Sequence, residues 1–301
     1  MQFYKLKRMN KFLLNYYFVL KVNRYSICYF LSNKYKVLKN IKKWSIFHFY
    51  IKMLKSPLVF VFNILESQHS LYRTILYDHI KDIFAQDNQP IIFLPVRNPA
   101  TTNLVQRAGY IHSRLSDLKK PHVVAFSVAG LDCRHAMCKF GTKIESLTTI
   151  SSPHHGSRFS DWTHTPQYEE GRVDPVVRFL GITKRALDEI DTKSIRRLNA
   201  SLPPRDDVKQ YSISSWRPSQ TMTFALSDLG KKLEDYVPFH KRTCDGVFFS
   251  YEAEWGDHLA TFDMDHTELI GSNLINNCAP VYRLVLDNLV RHEKVKANLA
   301  L

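Results

Sequence analysis

The sequence predicts an α/β fold of three layers, a mostly parallel sheet with helices on both faces and a helical, lid-like insertion late in the chain. Three observations predict it. From residue 56 onward, short apolar runs of strand length alternate with stretches whose apolar residues recur at helical spacing. Parallel strands need crossover connections, and helices serving as crossovers cover both faces of the sheet. The 301 residues are 45% apolar and 23% charged, a balance that excludes disordered and fibrous classes.

The first strand falls in Ser56 to Phe62 (SPLVFVF), apolar and β-branched with a proline near its start. Leu71, Ile75, Leu76, Ile80, Ile83 and Phe84 then mark one face of a helix, which Asp87-Asn88 ends. Pro90 to Val96 (PIIFLPV) is the second strand. Pro99 and Thr101-Thr102 introduce a helix with Leu104, Ala108, Ile111, Leu115 and Leu118 on one face. His122 to Phe126 (HVVAF) is the third strand, followed by Ser127 and a helix reaching about Lys139, and Glu145 to Ser151 (ESLTTIS) is the fourth. Residues 157–207 break this rhythm. They are polar and helix-like, with Pro166, Pro175 and Pro203-Pro204, and read as an insertion over one edge of the sheet. Strand signals return at Val208 to Trp216 and at Val247 to Tyr251, and a helix follows around Val281 to His292.

The formal charge of +14 belongs to one segment. Residues 1–55 hold 13 basic residues, no acidic one and 14 aromatics, which leaves 29 basic against 28 acidic residues in 56–301. A basic stretch without a recognisable binding module is weak support for nucleic-acid binding, and no nucleic-acid partner is expected. Three readings of residues 1–55 stay open. An organellar address fits the absence of acids but not the excess of Lys over Arg or the scarcity of Ser. A cationic aromatic arm would lie on a membrane or lipid-droplet surface. The composition is also that of translated AT-rich sequence ahead of a start at Met53. No run of about 18 uncharged apolar residues occurs, so no transmembrane helix is expected. Cys28, Cys133, Cys138, Cys244 and Cys278 lack metal-like spacing, and free thiols in a reducing compartment are expected.

The most informative window is Val123 to Met137 (VVAFSVAGLDCRHAM). A serine placed directly after a buried strand and before a helix, flanked by Ala125 and Ala129, is a variant of the G-x-S-x-G nucleophile elbow. The flanking residues must be small because the turn is tight and the helix packs close to the strand, and Gly130 adds a further small residue. Such a turn lifts the Ser127 hydroxyl to the head of a helix, where the dipole and the Val128 N–H support an oxyanion. Taken alone the pattern is weak, because many buried serines follow strands.

Phe126 to Ala136 (FSVAGLDCRHA) resembles the GHSMGGLD-type elbow of the triacylglycerol lipases of the α/β-hydrolase superfamily. Leu147 to Ser157 (LTTISSPHHGS) and Cys244 to Gly271 resemble, in the same order, that family's loop after the nucleophile helix and its acid and histidine region. The similarity covers about residues 56–292, and the forms it is most like are fungal, mitochondrially associated lipases. It implies the α/β-hydrolase fold and a lipase acting on acylglycerols or other ester lipids; no cofactor and no metal are expected. It implies a mitochondrial location, with the cytoplasm or a lipid surface as alternatives. By position Ser127 matches the nucleophile, Asp245 of C-D-G the acid and His266 of D-H-T-E-L the base. The chemistry agrees: a serine hydroxyl needs a His to take its proton, and the His needs a carboxylate to fix its tautomer. The order Ser, Asp, His is that of the superfamily. Asp132, Asp263, Asp265 and His135 are expected to cap helices or to support the site. His154 and His155, being adjacent, point apart and make no zinc pair, and Asp257, Asp263 and Asp265 read as solvated carboxylates rather than a calcium site.

The sequence departs from the family at one place. Where the family has His-Gly after its first strand, this chain has Phe62-Asn63, so the second oxyanion donor falls to the Ile64 N–H. Asn tolerates a left-handed backbone better than most residues, which would let the loop keep its shape. A collapsed loop would instead leave a catalytically weak relative that binds lipid or a partner. In the insertion, Trp162, Val176, Val177, Phe179 and Leu180 are the apolar candidates for an acyl groove, or simply pack the insertion on the body.

Overall fold

A computed structural model describes residues 16–22, 25–31, 53–63, 71–96, 102–165, 184–202, 205–271 and 277–299. The chain forms two compact units, Met1–Ile51 and Lys52–Leu301. In the first, strands β1 (Tyr16–Val22) and β2 (Tyr25–Leu31) pair antiparallel, Val22 opposite Tyr25.

The second unit is built on six parallel strands, β3 (Leu58–Asn63), β4 (Ile91–Val96), β5 (His122–Phe126), β6 (Ser146–Ile150), β7 (Lys209–Trp216) and β8 (Asp257–Asp263), in the order β4-β3-β5-β6-β7-β8. Alternation along β3 explains the layers. Leu58 and Phe60 face a core shared with Ile80, Ile83 and Phe84 of α1 (Leu71–Gln86) and Tyr282, Val285, Leu286 and Leu289 of α9 (Ala279–Leu299). Val59 and Val61 face the other side, against Ala108, Ile111 and Leu115 of α2 (Leu104–Leu115) and Ala129, Cys133 and Ala136 of α3 (Ala129–Lys139). Each fully buried Val, Leu, Ile or Phe among them contributes roughly 1.5–3 kcal/mol. The side chains of Leu71, Ile75 and Leu76 lie outside the described residues.

A third cluster assembles the insertion. Phe159 and Trp162 of α4 (Arg158–Thr163), Leu187 and Ile190 of α5 (Lys184–Ile190) and Ile195 of α6 (Thr192–Ser201) pack with Leu226, Leu229 and Leu233 of α7 (Phe224–Tyr236). Trp162 is therefore core; Val176, Val177, Phe179 and Leu180 lie outside the described residues. Among the described residues no helix is long and apolar enough to cross a membrane.

Two expectations are corrected. Val247 to Tyr251 is not a strand: Cys244 and Phe249 make an isolated bridge, and α8 (Ser250–Ala253) follows. Its apolar residues are there because Val247, Phe248 and Phe249 fill the third cluster. The last strand is instead Asp257–Asp263, an edge strand with no fully buried residue.

The connection from β3 runs outward through α1 to β4 and returns through α2 to β5 on the other side of β3. This reversal of direction opens a crevice at the carboxyl ends of β3 and β5, where ligands bind in open α/β sheets. Asn63 and Ser127 stand at its two sides.

Candidate active site

Ser127 leaves β5 with φ 57°, a left-handed conformation unusual for a residue with a side chain. Its backbone is held there by its N–H, which donates to the Ile150 carbonyl at 2.9 Å. The helix packs tightly behind it: a Cβ on Gly130 would lie 2.2 Å from Ser152 Oγ. Val128 heads α3, and among the described residues its N–H meets no acceptor.

Asp245 lies in the loop ahead of α8, fully buried. Its Oδ1 accepts the N–H groups of Val247 and Phe248 at 2.9 and 2.7 Å, a turn that Gly246 completes at φ 94°. His266 follows β8, and its N–H donates to the Asp245 carbonyl at 2.8 Å. The side chains meet in line. His266 Nδ1 is 2.8 Å from Asp245 Oδ2, and His266 Nε2 is 3.2 Å from Ser127 Oγ. An ionised carboxylate only accepts, so Nδ1 carries the proton and Nε2 is left to accept from the serine hydroxyl. Phe126 and Phe248 cover the ring, with centroids at 4.7 and 5.3 Å. Burial pushes the Asp245 carboxyl up. The charge and hydrogen bond of His266, the Phe248 N–H and the Ser151 hydroxyl outweigh it and hold the group below the usual carboxylate range.

Ser151, which the sequence reading did not single out, touches both partners. Its hydroxyl donates to Asp245 Oδ2 and lies 3.3 Å from His266 Nδ1. Ser215 Oγ approaches the same Oδ2 at 3.4 Å. The signal in the sequence was positional: Ser151 follows β6, the strand beside β5, and Ser215 lies at the carboxyl end of β7, the next strand along, where a parallel sheet brings side chains together.

Asn63 is not left-handed; it ends β3 opposite Val96, and its Nδ2 donates to Asp132 Oδ2 at 3.2 Å. Asp132 is clamped in turn by Arg107 Nε at 2.9 Å, both side chains fully buried, and Arg107 reaches Glu189 of α5 at 2.9 Å. Phe62 stacks on Phe60 at 5.6 Å. Ile64 lies outside the described residues.

The remaining candidates are supports. Asp265 accepts the N–H groups of Thr223, Thr267 and Glu268. Asp263 and Asp257 face Arg217 and Lys209. His135 packs edge-on to Phe140 at the far end of α3. His154 Nδ1 meets Arg134 and its Nε2 meets Thr149, while His155 Nε2 donates to the Glu254 carbonyl, and both rings lie against Trp255. No group of three or more His, Cys, Asp or Glu that would hold a metal ion occurs among the described residues.

A six-stranded parallel sheet between two helical layers, with a strand-turn-helix serine at its switch point, is the α/β-hydrolase fold. The chain is 27% identical over 160 residues to triacylglycerol lipase 2 of Saccharomyces cerevisiae, a match covering 50% of this chain and 45% of that protein. It thus spans less than half the length of that relative. Three solved structures share the fold. A Bacillus licheniformis lipase in mature form has TM-score 0.54 and 19% identity over 77% of this chain and 91% of that one. A metagenomic carboxyl esterase has 0.58 and 16% over 79% and 76%, and lipase 1 of Pelosinus fermentans has 0.55 and 12% over 78% and 98%. No protein-family model matches the chain. The lipase resemblance noted from the sequence is borne out by this relative, and the expected fold by the solved structures.

Proposed function

We propose that the chain is a serine ester hydrolase acting on acylglycerols through an acyl-enzyme. The observation that carries the reading is the in-line contact of Ser127 Oγ, His266 and buried Asp245. Ser127 Oγ attacks the ester carbonyl carbon while its proton passes to His266 Nε2, and the carbonyl oxygen gains negative charge. That oxyanion is received by the Val128 N–H at the head of α3 and, by position, by the Ile64 N–H. As the tetrahedral intermediate collapses, the ester C–O bond breaks and His266 returns the proton to the leaving alcohol. Water, deprotonated by His266, then attacks the acyl-enzyme and frees the fatty acid and Ser127. Asp245 holds the Nδ1 proton and offsets the charge His266 carries in between.

The test is hydrolysis of short- and long-chain glycerol esters by the full chain beside Ser127→Ala. Activity that falls by about 10⁴-fold or more in the variant supports the reading, and activity that survives it sinks it. A preference for long chains supports acylglycerols as the substrate class.

A second reading is favoured by Phe62, half-buried against the core, and Asn63, tied to Asp132: a weak hydrolase that binds lipid or a partner. One missing oxyanion donor costs about 2.7–4 kcal/mol of transition-state stabilisation. Phe62→His with Asn63→Gly should then raise esterase activity at least tenfold if the loop is only handicapped, whereas an unchanged baseline favours the binding role. For residues 1–55 we propose a mitochondrial address, which a fluorescent fusion of that segment reads directly.

A further inference from the structure

We propose that Ser151 is a positioning residue of the Ser127, His266 and Asp245 relay, its hydroxyl competing with His266 for Asp245 Oδ2 and so setting the pH at which the relay becomes competent. The inference rests on the ester-hydrolase reading and deepens it.

Ser151 is placed with strain. It is buried at φ 46°, a conformation glycine adopts freely and serine does not. The sheet enforces it, since the Ser151 N–H donates to the Ile213 carbonyl at 2.8 Å and the preceding Ile150 carbonyl holds the Ser127 N–H. A serine in a glycine-like position must be accounted for by its hydroxyl. Among the described residues that hydroxyl has two polar partners, both in the relay: Asp245 Oδ2 and, at 3.3 Å, His266 Nδ1.

Oδ2 is crowded. Oδ1 already serves two backbone N–H groups, while Oδ2 faces His266 Nδ1, Ser151 Oγ and Ser215 Oγ with two lone pairs. A hydroxyl donating to a carboxylate withdraws charge from it, which weakens its hold on the protonated imidazole. Removing the hydroxyl returns a lone pair and fuller charge to His266, so the protonated ring is stabilised. The base is then lost to protonation at a higher pH. The 3.3 Å contact with Nδ1 acts in the opposite sense but is the longer and weaker of the two.

Among the described residues few other charges face the pair. Cys244 and Glu252 lie close enough to feel Asp245. Asp265 and Glu268, beside His266 in the chain, are engaged by backbone N–H groups and by Arg217. Phe126 and Phe248 close the remaining faces of the ring. None of these is altered by a change at Ser151.

The experiment measures kcat/KM of the full chain for p-nitrophenyl butyrate from pH 4.5 to 9, for the natural sequence, Ser151→Gly, Ser151→Ala and Ser127→Ala. The glycine variant removes the hydroxyl and suits the left-handed backbone, so its fold, checked by thermal melting, is retained; the alanine variant repeats the test with the strain kept. The expected result is an acid limb displaced to higher pH by about 0.5–1 unit in both. The pH dependence of phosphonylation by a fluorophosphonate probe gives the same displacement when turnover is slow. A uniform loss of rate with an unmoved midpoint would overturn the proposal and leave Ser151 a space-filling residue. Full activity in Ser127→Ala would instead overturn the ester-hydrolase reading, and this proposal with it.

Discussion

Ser127, Asp245 and Gly130 each do one thing that a neighbouring residue type cannot. The Asp245 carboxylate accepts from five neighbours and, being ionised, donates nothing, so Asp245→Asn would place an amide donor against His266 Nδ1 and impose the wrong tautomer. Hydrolysis is expected to fall about 10⁴-fold with the melting temperature little changed, which steady-state kinetics and circular dichroism check together. Gly130 shows the steric side of the same site. A methyl there would sit 2.7 Å from Ser152 Cβ and 3.0 Å from Thr149 Cγ2 as well as against Ser152 Oγ. Gly130→Ala is therefore expected to cost about 1–3 kcal/mol in urea unfolding and to lower activity by shifting the head of α3. At this scale the sequence was largely legible. Ser127, Asp245 and His266 could be singled out because a strand-turn-helix serine, an Asp-Gly turn and a polar-loop histidine each carry a local signature, and the structure brings their side chains together. Ser151 and Ser215 were missed because nothing local marks them; they matter only through the strands they end.

The elements β3, α2, α3 and α5 are tied by one buried chain of polar contacts, from Asn63 through Asp132 and Arg107 to Glu189. Arg107 also donates to the Thr102 carbonyl, and Glu189 accepts the Leu104 N–H at the start of α2. Arg107→Met would leave the Asp132 charge buried without its partner, and about 3–5 kcal/mol of stability is expected to be lost on urea unfolding. Adding Asp132→Leu should recover a large part of it, since an apolar pair replaces an uncompensated charge. The elements also show where periodicity succeeds and fails. His122–Phe126 and Ser146–Ile150 are buried on both faces and read as continuous apolar or β-branched runs. Asp257–Asp263 lies at the edge, half exposed, and its DHLATFD has no apolar run to betray it. Val247 to Phe249 carried strand propensity but is a buried turn, because tertiary packing overrides local preference in short apolar segments. The helix Phe224–Tyr236 does carry a helical pattern in Leu226, Leu229 and Leu233, passed over in a region read only for strands.

For the molecule as a whole, stability and activity should part company with pH. Glu252 is buried, accepts the N–H groups of Arg158 and Phe249, and joins the insertion to the loop behind Asp245. Burial pushes its carboxyl up to about 8 from an ordinary 4.5, against those hydrogen bonds. Between these values the folded chain holds a proton that the unfolded chain has released. Unfolding free energy from this group therefore falls as pH rises from 4.5 to 8 and is level outside that window. Melting temperatures taken at pH 5 and pH 8 should decrease across the interval, and Glu252→Gln should flatten the decrease. Fold class was readable from the alternation of strands and helices, and the candidate site from the serine that follows His122–Phe126; the strand order that puts it at a switch point is visible only in the structure. What fixes the detail of the oxyanion side is not readable in a linear pattern: Asn63 is held by Asp132, 69 positions away in the chain.

The central claim is that Ser127 is a nucleophile made reactive by His266 and Asp245, and covalent labelling tests it most directly. The full chain, treated with a fluorophosphonate probe and followed by intact-protein and peptide mass spectrometry, should gain a single adduct on Ser127. The adduct should be absent in Ser127→Ala and should form far more slowly in His266→Ala. A folded protein that takes no label, or one that is labelled equally in Ser127→Ala, would contradict the account.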